Sequence, residues 1–267
     1  VITAYFDDSG THQGSPVVAV GGLIGSEDQW AEFDERWKKL LAEPLPGKPS
    51  LKQFHSTECR GNHGPFGNYN VAERDRITYL FRQIILETGL FSVASIIDQI
   101  AWNELVVGPI RMIIGEADVF CSSKCIDCAI RIARLAYPGQ KLAVVFDRGF
   151  QSDMLTRVAG LYEKRKDDYP EVSAIGFAKV ADMCGLQGAD MIATESYWYA
   201  QEWLKAGADA KARAHFRDYL TRDLSAGLIA DREAIEGVVK TFGGLLKAGD
   251  PDLTALAVRI SQEERSS

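Results

Sequence analysis

The segment that most constrains this chain is Lys141-Leu142-Ala143-Val144-Val145-Phe146-Asp147, an apolar run that stops abruptly at a carboxylate. It reads as a buried strand, and Asp147 falls at its carboxyl end, the edge where open α/β sheets place their ligands. A helix near 152–165, a strand at 172–180 and a helix from about Leu186 past Trp198 follow it. That strand–helix–strand–helix rhythm predicts an α/β fold with parallel pairing in the second half.

The first half has a different grammar. Residues 2–7 and 16–24 are short β-rich runs joined by the turn-rich stretch 9–15, which predicts an antiparallel hairpin. Ser26, followed by Glu27 and Asp28, is a helix start, and Trp30, Phe33, Trp37, Leu40 and Leu41 recur at helical spacing up to Pro44. Residues 47–70 show little periodicity yet hold His55 and His63; long irregular stretches of this kind in compact domains are usually functional or mobile. A helix at 71–88, a strand at 90–97 and a helix at 116–136 complete this half, while 208–265 read as helices only. The expectation is an α/β domain over residues 1–205, with a helical insertion at about 26–136 and a helical carboxyl-terminal extension at 206–267.

With 267 residues, one large domain can bury a core without disulfides or a structural metal. Thirty basic against 37 acidic residues give a net charge of −7, which counts against gripping a duplex through a broad basic face but leaves room for a local basic channel. Five unevenly spaced cysteines (59, 121, 125, 128, 184) are no disulfide framework and fit a reducing cytoplasm. The opening residues lack the basic start and long apolar core of a signal peptide, and no run is apolar enough for a membrane span.

Acidic residues sit where apolar elements begin or end. In the first strand the period of two puts Asp7 on the face of Thr3 and Tyr5, and Asp8 on the opposite one. Asp190 lies in the first two turns of a helix, beside the small Gly188 and Ala189. Glu58, in His55-Ser56-Thr57-Glu58, is a fourth candidate. Carboxylate oxygens are the preferred ligands of Mg²⁺ or Mn²⁺, and paired ions of this type serve phosphoryl transfer. Taken singly, each Asp has an ordinary alternative as a cap or turn residue.

Together, Tyr5-Phe6-Asp7-Asp8-Ser9-Gly10, His55-Ser56-Thr57-Glu58, the strand ending in Phe146-Asp147, and Leu186-Gln187-Gly188-Ala189-Asp190 resemble the spaced motifs of the domain of unknown function 3800 family. The resemblance covers residues 2–200; Asp8 stands where that family usually has Glu. It implies a ribonuclease H-like mixed sheet flanked by helices, and a divalent-metal-dependent nuclease. Asp7, Asp147, Asp190 and, as the fourth, Glu58 would hold Mg²⁺ or Mn²⁺ for hydrolysis of a nucleic-acid phosphodiester. His55 is a candidate for positioning water or a leaving group, with a structural hydrogen-bonded role as its alternative. Two other functions stay open: a non-catalytic adaptor binding a partner protein, or a second copy, through its carboxyl-terminal helices, and a small-molecule phosphohydrolase.

Several patterns are decoys. Cys121, Cys125 and Cys128 lie inside an apolar-periodic helix, where i, i+4 and i+7 share one face, so they read as small hydrophobes rather than cluster ligands. Gly21-Gly22-Leu23-Ile24-Gly25 lacks the Lys-Ser/Thr ending of a phosphate loop. Arg60, Arg74, Arg76, Arg82, residues 164–166, Lys211, Arg213, Arg217 and Arg222 read as solvated faces, although a nuclease needs at least one beside its acidic pocket. Trp198 and its aromatic neighbours read as core or interface.

Overall fold

A computed structural model of the chain describes residues 1–12, 14–148, 159–160, 162, 167–220 and 224–249. The hairpin is present: β1 (Ile2–Ser9) and β2 (Val17–Ser26) pair antiparallel, from Ile2 opposite Ser26 to Ser9 opposite Ala19. Next comes β3 (Phe91–Asp98), antiparallel to β2. The chain then returns to the far side of β1, where β4 (Leu142–Asp147) and β5 (Val172–Ala178) add in parallel. A sixth strand, β6 (Ser225–Ala230), pairs parallel with β3, giving the order β5-β4-β1-β2-β3-β6. This is the expected mixed sheet flanked by helices: an antiparallel meander of three strands, then two parallel strands beside the first.

Nine helices surround it among the described residues: α1 (Glu27–Ala42), α2 (Ser56–Gly61), α3 (Val71–Glu87), α4 (Gln99–Leu105), α5 (Gly108–Ile114), α6 (Ala117–Ala136), α7 (Cys184–Ala206), α8 (Ala214–Leu220) and α9 (Arg232–Lys247). α1 starts where expected, at a capping box in which Ser26 and Gln29 satisfy each other's backbone amides. Asn70 and Glu73 do the same for α3.

The strand expected at 90–97 is β3, a core strand of the sheet that divides the helices of the span 26–136. One expectation is corrected. Residues 208–265 are not helices only: β6 pairs along the outer side of β3, and Ala230 and Ile235 lie in the main core. The sequence Ser225-Ala226-Gly227-Leu228-Ile229-Ala230 has weak local preference; what makes it a strand is the row of unpaired backbone groups that β3 would otherwise present. The expected helix at 152–165 falls largely outside the described residues, as do 250–267.

Each face of the sheet has its own core. Ile2, Ala4 and Phe6 of β1 and Leu142, Val144 and Phe146 of β4 face α6, joined by Cys121, Cys125 and Ile126. On the opposite face Leu23 meets an aromatic layer of Phe33, Trp37, Phe54, Phe66 and Phe81, with Met191 and Ile192 of α7. Burying each such aromatic contributes about 1.5–3 kcal/mol. α7 packs directly on β2 because two glycines leave room: a Cβ on Gly21 would lie 2.5 Å from the Ala193 amide nitrogen, and one on Gly188 would lie 2.8 Å from Leu23 Cδ1.

Candidate active site

The strand register builds the site. β1 and β4 run parallel with Phe6 beside Phe146, so the next residues, Asp7 and Asp147, stand side by side at the carboxyl ends of two central strands. Because Phe6 and Phe146 point into the α6 core, alternation turns both aspartates to the α7 face. Asp8 goes the other way: it sits opposite Val20, a residue of the α6 core, as the sequence reading expects. α7 then brings Asp190 down onto β1 and β2.

Asp7 and Asp190 are 7% and 4% exposed, unusual for carboxylates and costly without compensation. Burial raises the Asp7 pKa well above the usual carboxylate range, and the charges of Asp190, Asp8 and Asp147 raise it further, against one hydrogen bond from the Asp8 amide at 2.8 Å. Burial also raises Asp190, opposed by His55 and by hydrogen bonds. Asp190 Oδ2 accepts from the Ser56 amide at 2.7 Å and Oδ1 from the Thr194 hydroxyl at 3.4 Å, while His55 Nε2 faces Oδ1 at 3.9 Å. Asp147 Oδ1 accepts from the Val180 amide at 3.0 Å, which ties the end of β4 to the turn that follows β5. Asp8 is pushed up to about 6, mainly by burial, although Thr11 donates to it at 2.6 Å.

The structure thus brings Asp7, Asp147 and Asp190 to one edge, with His55 against Asp190. Glu58 lies on α2, two residues after Ser56, and its carboxyl is next to Gly64, where a Cβ would come within 3.2 Å of it. The oxygen-only donor set of the three aspartates suits a hard divalent ion. Among the described residues, no group of three His, Cys, Asp or Glu side chains has the close spacing of a formed metal site.

Gln187 has a part that the sequence reading passed over. Its Oε1 accepts from Trp37 Nε1 and from the Phe54 amide, both at 2.9 Å, and its Nε2 donates to the Val180 carbonyl at 3.3 Å. One buried amide therefore fixes α1, the 54–56 segment that presents His55 and Ser56, and the turn that holds Asp147. Also missed was the pair of Arg60 with Glu195 of α7, at 2.9 Å, since nothing local links residues 135 positions apart. Arg82, read as solvated, is buried and pairs with Asp218 at 3.3 Å. Residues 164–166 and Arg222 lie outside the described residues.

Neither a protein-family model nor a curated protein sequence matches the chain. Among solved structures it is similar to Bst-RNase HIII in complex with Mn²⁺, at 13% identity and a TM-score of 0.43 over 88% of this chain. A single-substitution mutant of Bst-RNase HIII gives 13% identity and a TM-score of 0.42, also over 88%. The chain spans 65% and 64% of the lengths of those two chains.

Proposed function

We propose that this protein is a divalent-metal-dependent nuclease that hydrolyses phosphodiester bonds of nucleic acid, and that it is a member of the domain of unknown function 3800 family. The observation that carries the reading is the convergence of Asp7, Asp147 and Asp190 on one sheet edge, two of them buried and raised in pKa where charges of one sign gather. Such a group is costly for folding alone and is the arrangement that a cation neutralises. The spaced motifs around these residues support the family, and the five free cysteines support a reducing, cytoplasmic setting.

Asp7, Asp147 and Asp190 would hold Mg²⁺ or Mn²⁺. When bound, the ion supplies water activation at neutral pH and charge stabilisation on the phosphoryl oxygens. Asp7, at the centre of the strand edge, orients the donor set; Asp190 is kept in place by Ser56 and Thr194. His55, beside Asp190 and partly exposed, is placed to accept or return a proton at the reacting water or the leaving oxygen. Glu58, on the short helix that follows His55, would be the fourth ligand.

The test is hydrolysis of labelled single-stranded, duplex and hybrid substrates with Mg²⁺ or Mn²⁺, by wild type and Asp7→Asn. Metal-dependent cleavage abolished by the substitution supports the reading, and cleavage surviving in Asp7→Asn refutes Asp7's role. Hydrolysis of small phosphate esters alone would make it a small-molecule phosphohydrolase. No hydrolysis and no metal binding would leave the adaptor.

A further inference from the structure

Beside Asp190 lies a cavity of about 580 Å³, large enough for a nucleotide. Its basic lining is Arg60 of α2, Arg74 of α3 and Arg213 just before α8, three residues from distant parts of the sequence. Two acids, Glu195 and Asp75, also line it, and Glu195 is engaged by Arg60. The balance is one positive charge.

Arg74 donates to the Tyr69 carbonyl at 2.8 Å and one oxygen of Glu195 is buried without a partner, but two features leave donor capacity among the arginines. Arg60 gives one amino group to Glu195, but its Nη1 is buried with no hydrogen-bond partner. Arg60 and Arg213 also share one aromatic ring: their guanidinium carbons lie 4.7 Å and 5.1 Å from the Trp198 ring centre. Cation–π attraction holds each of them, yet two like charges over one indole repel, which an anion between them would relieve. Planar guanidinium groups match phosphate oxygens in pairs.

The cavity is joined to the carboxylate edge. Ser56 lines it and donates its amide to Asp190, and Glu195 follows Asp190 by five residues on α7. Five residues rise about 7.5 Å along a helix, so Glu195 and its partner Arg60 stand within a short reach of a strand bound at Asp190.

We propose that the Arg60–Arg74–Arg213 cavity is a phosphate subsite that takes one backbone phosphate of a polynucleotide strand away from the cleavage point. This rests on the nuclease reading and adds where the strand runs: from the aspartates, past Ser56, onto the arginines. It also answers the acidic overall charge, because affinity comes from a local basic cavity and not from a broad face.

The experiment is fluorescence anisotropy of a labelled single-stranded oligonucleotide titrated at several salt concentrations, with Asp7→Asn as parent so that nothing is cut. Adding Arg213→Gln or Arg74→Gln should weaken binding about fivefold or more and lower the salt slope by about 0.7, the loss of one phosphate contact on a single strand. Arg131→Gln, an exposed position on α6, should leave both unchanged. Unchanged affinity and slope in both arginine variants would overturn the subsite while leaving the nuclease reading intact. Loss of binding in those variants, with no hydrolysis by wild type, would leave the subsite and strike the nuclease reading. Failure of the parent to bind any oligonucleotide would overturn both, and equal competition by an acidic peptide would overturn the assignment to phosphate.

Discussion

Two long helices lie on opposite faces of one sheet, and they bury opposite kinds of chemistry. α6 covers its face with Ala117, Phe120, Cys121, Cys125, Ile126, Ala129 and Ile130; α7 covers the other with Gln187, Asp190, Thr194 and Glu195 among its apolar residues. Both carry a pattern that invites a functional reading. On α6 the thiols of Cys121 and Cys125 are fully buried against the Val18 and Val20 carbonyls, and burial pushes the Cys121 thiol up to about 12. A thiol held neutral is neither nucleophile nor metal ligand, so these cysteines pack. On α7 Glu195 is paired with Arg60, but Asp190 is a buried carboxylate near the like charge of Asp7, which packing does not explain. The lesson is that burial alone does not separate core from site; the cost of the buried group does.

The sharpest way to break this contrast is Asp7→Asn. It should lower hydrolysis by about 10³-fold, the scale for losing a group that stabilises transition-state charge, and raise the metal-free protein's stability by about 1–2 kcal/mol, read by urea unfolding. A fall in both would make Asp7 a structural residue.

Next is Gln187→Leu, which strands the Trp37 and Phe54 donors. It should cost about 2–4 kcal/mol from two buried donors left unpaired, and turnover should fall because the segment carrying His55 loses its anchor. Unchanged turnover in the folded variant would remove Gln187 from the positioning of the site. On the other face, Cys125→Ala should cost about 1–2 kcal/mol through a small cavity and leave turnover within about twofold, as expected of a core position distant from the chemistry. A tenfold loss would make the thiol a participant.

The smallest effect is on pH dependence. Asp7 and Asp190 have folded-state pKa values above their unfolded ones, so the native state binds more protons as pH falls toward the unfolded value. Stability of the metal-free protein is therefore gained as pH falls through the folded values toward the unfolded ones, and lost as pH rises through the folded values. Asp7→Asn should flatten this slope, and thermal melts across that range measure it.

Much of the fold was legible because the signals were local. Ser26 and the apolar spacing of α1 and α6 mark those helices within a residue or two, and the run ending at Asp147 marks β4. β6 was not, because its small residues become a strand only when β3 offers an edge. The same division holds in the site. Asp7, Asp147 and Asp190 announce themselves where apolar runs end, and the turn to a common face follows from strand alternation. Arg60 with Glu195, Gln187 with Trp37, and Arg213 with Trp198 depend on tertiary packing that no spacing records. The contact of the Glu58 carboxyl with Gly64 is a further detail that its motif does not announce.

The central claim is that Asp7, Asp147 and Asp190 form a cation centre, and Mn²⁺ soaked into crystals of the protein tests it most directly through its anomalous signal. A peak among these three carboxylates, absent from Asp7→Asn crystals grown in the same way, is the predicted result. No peak there, or a peak that persists in Asp7→Asn, would contradict it.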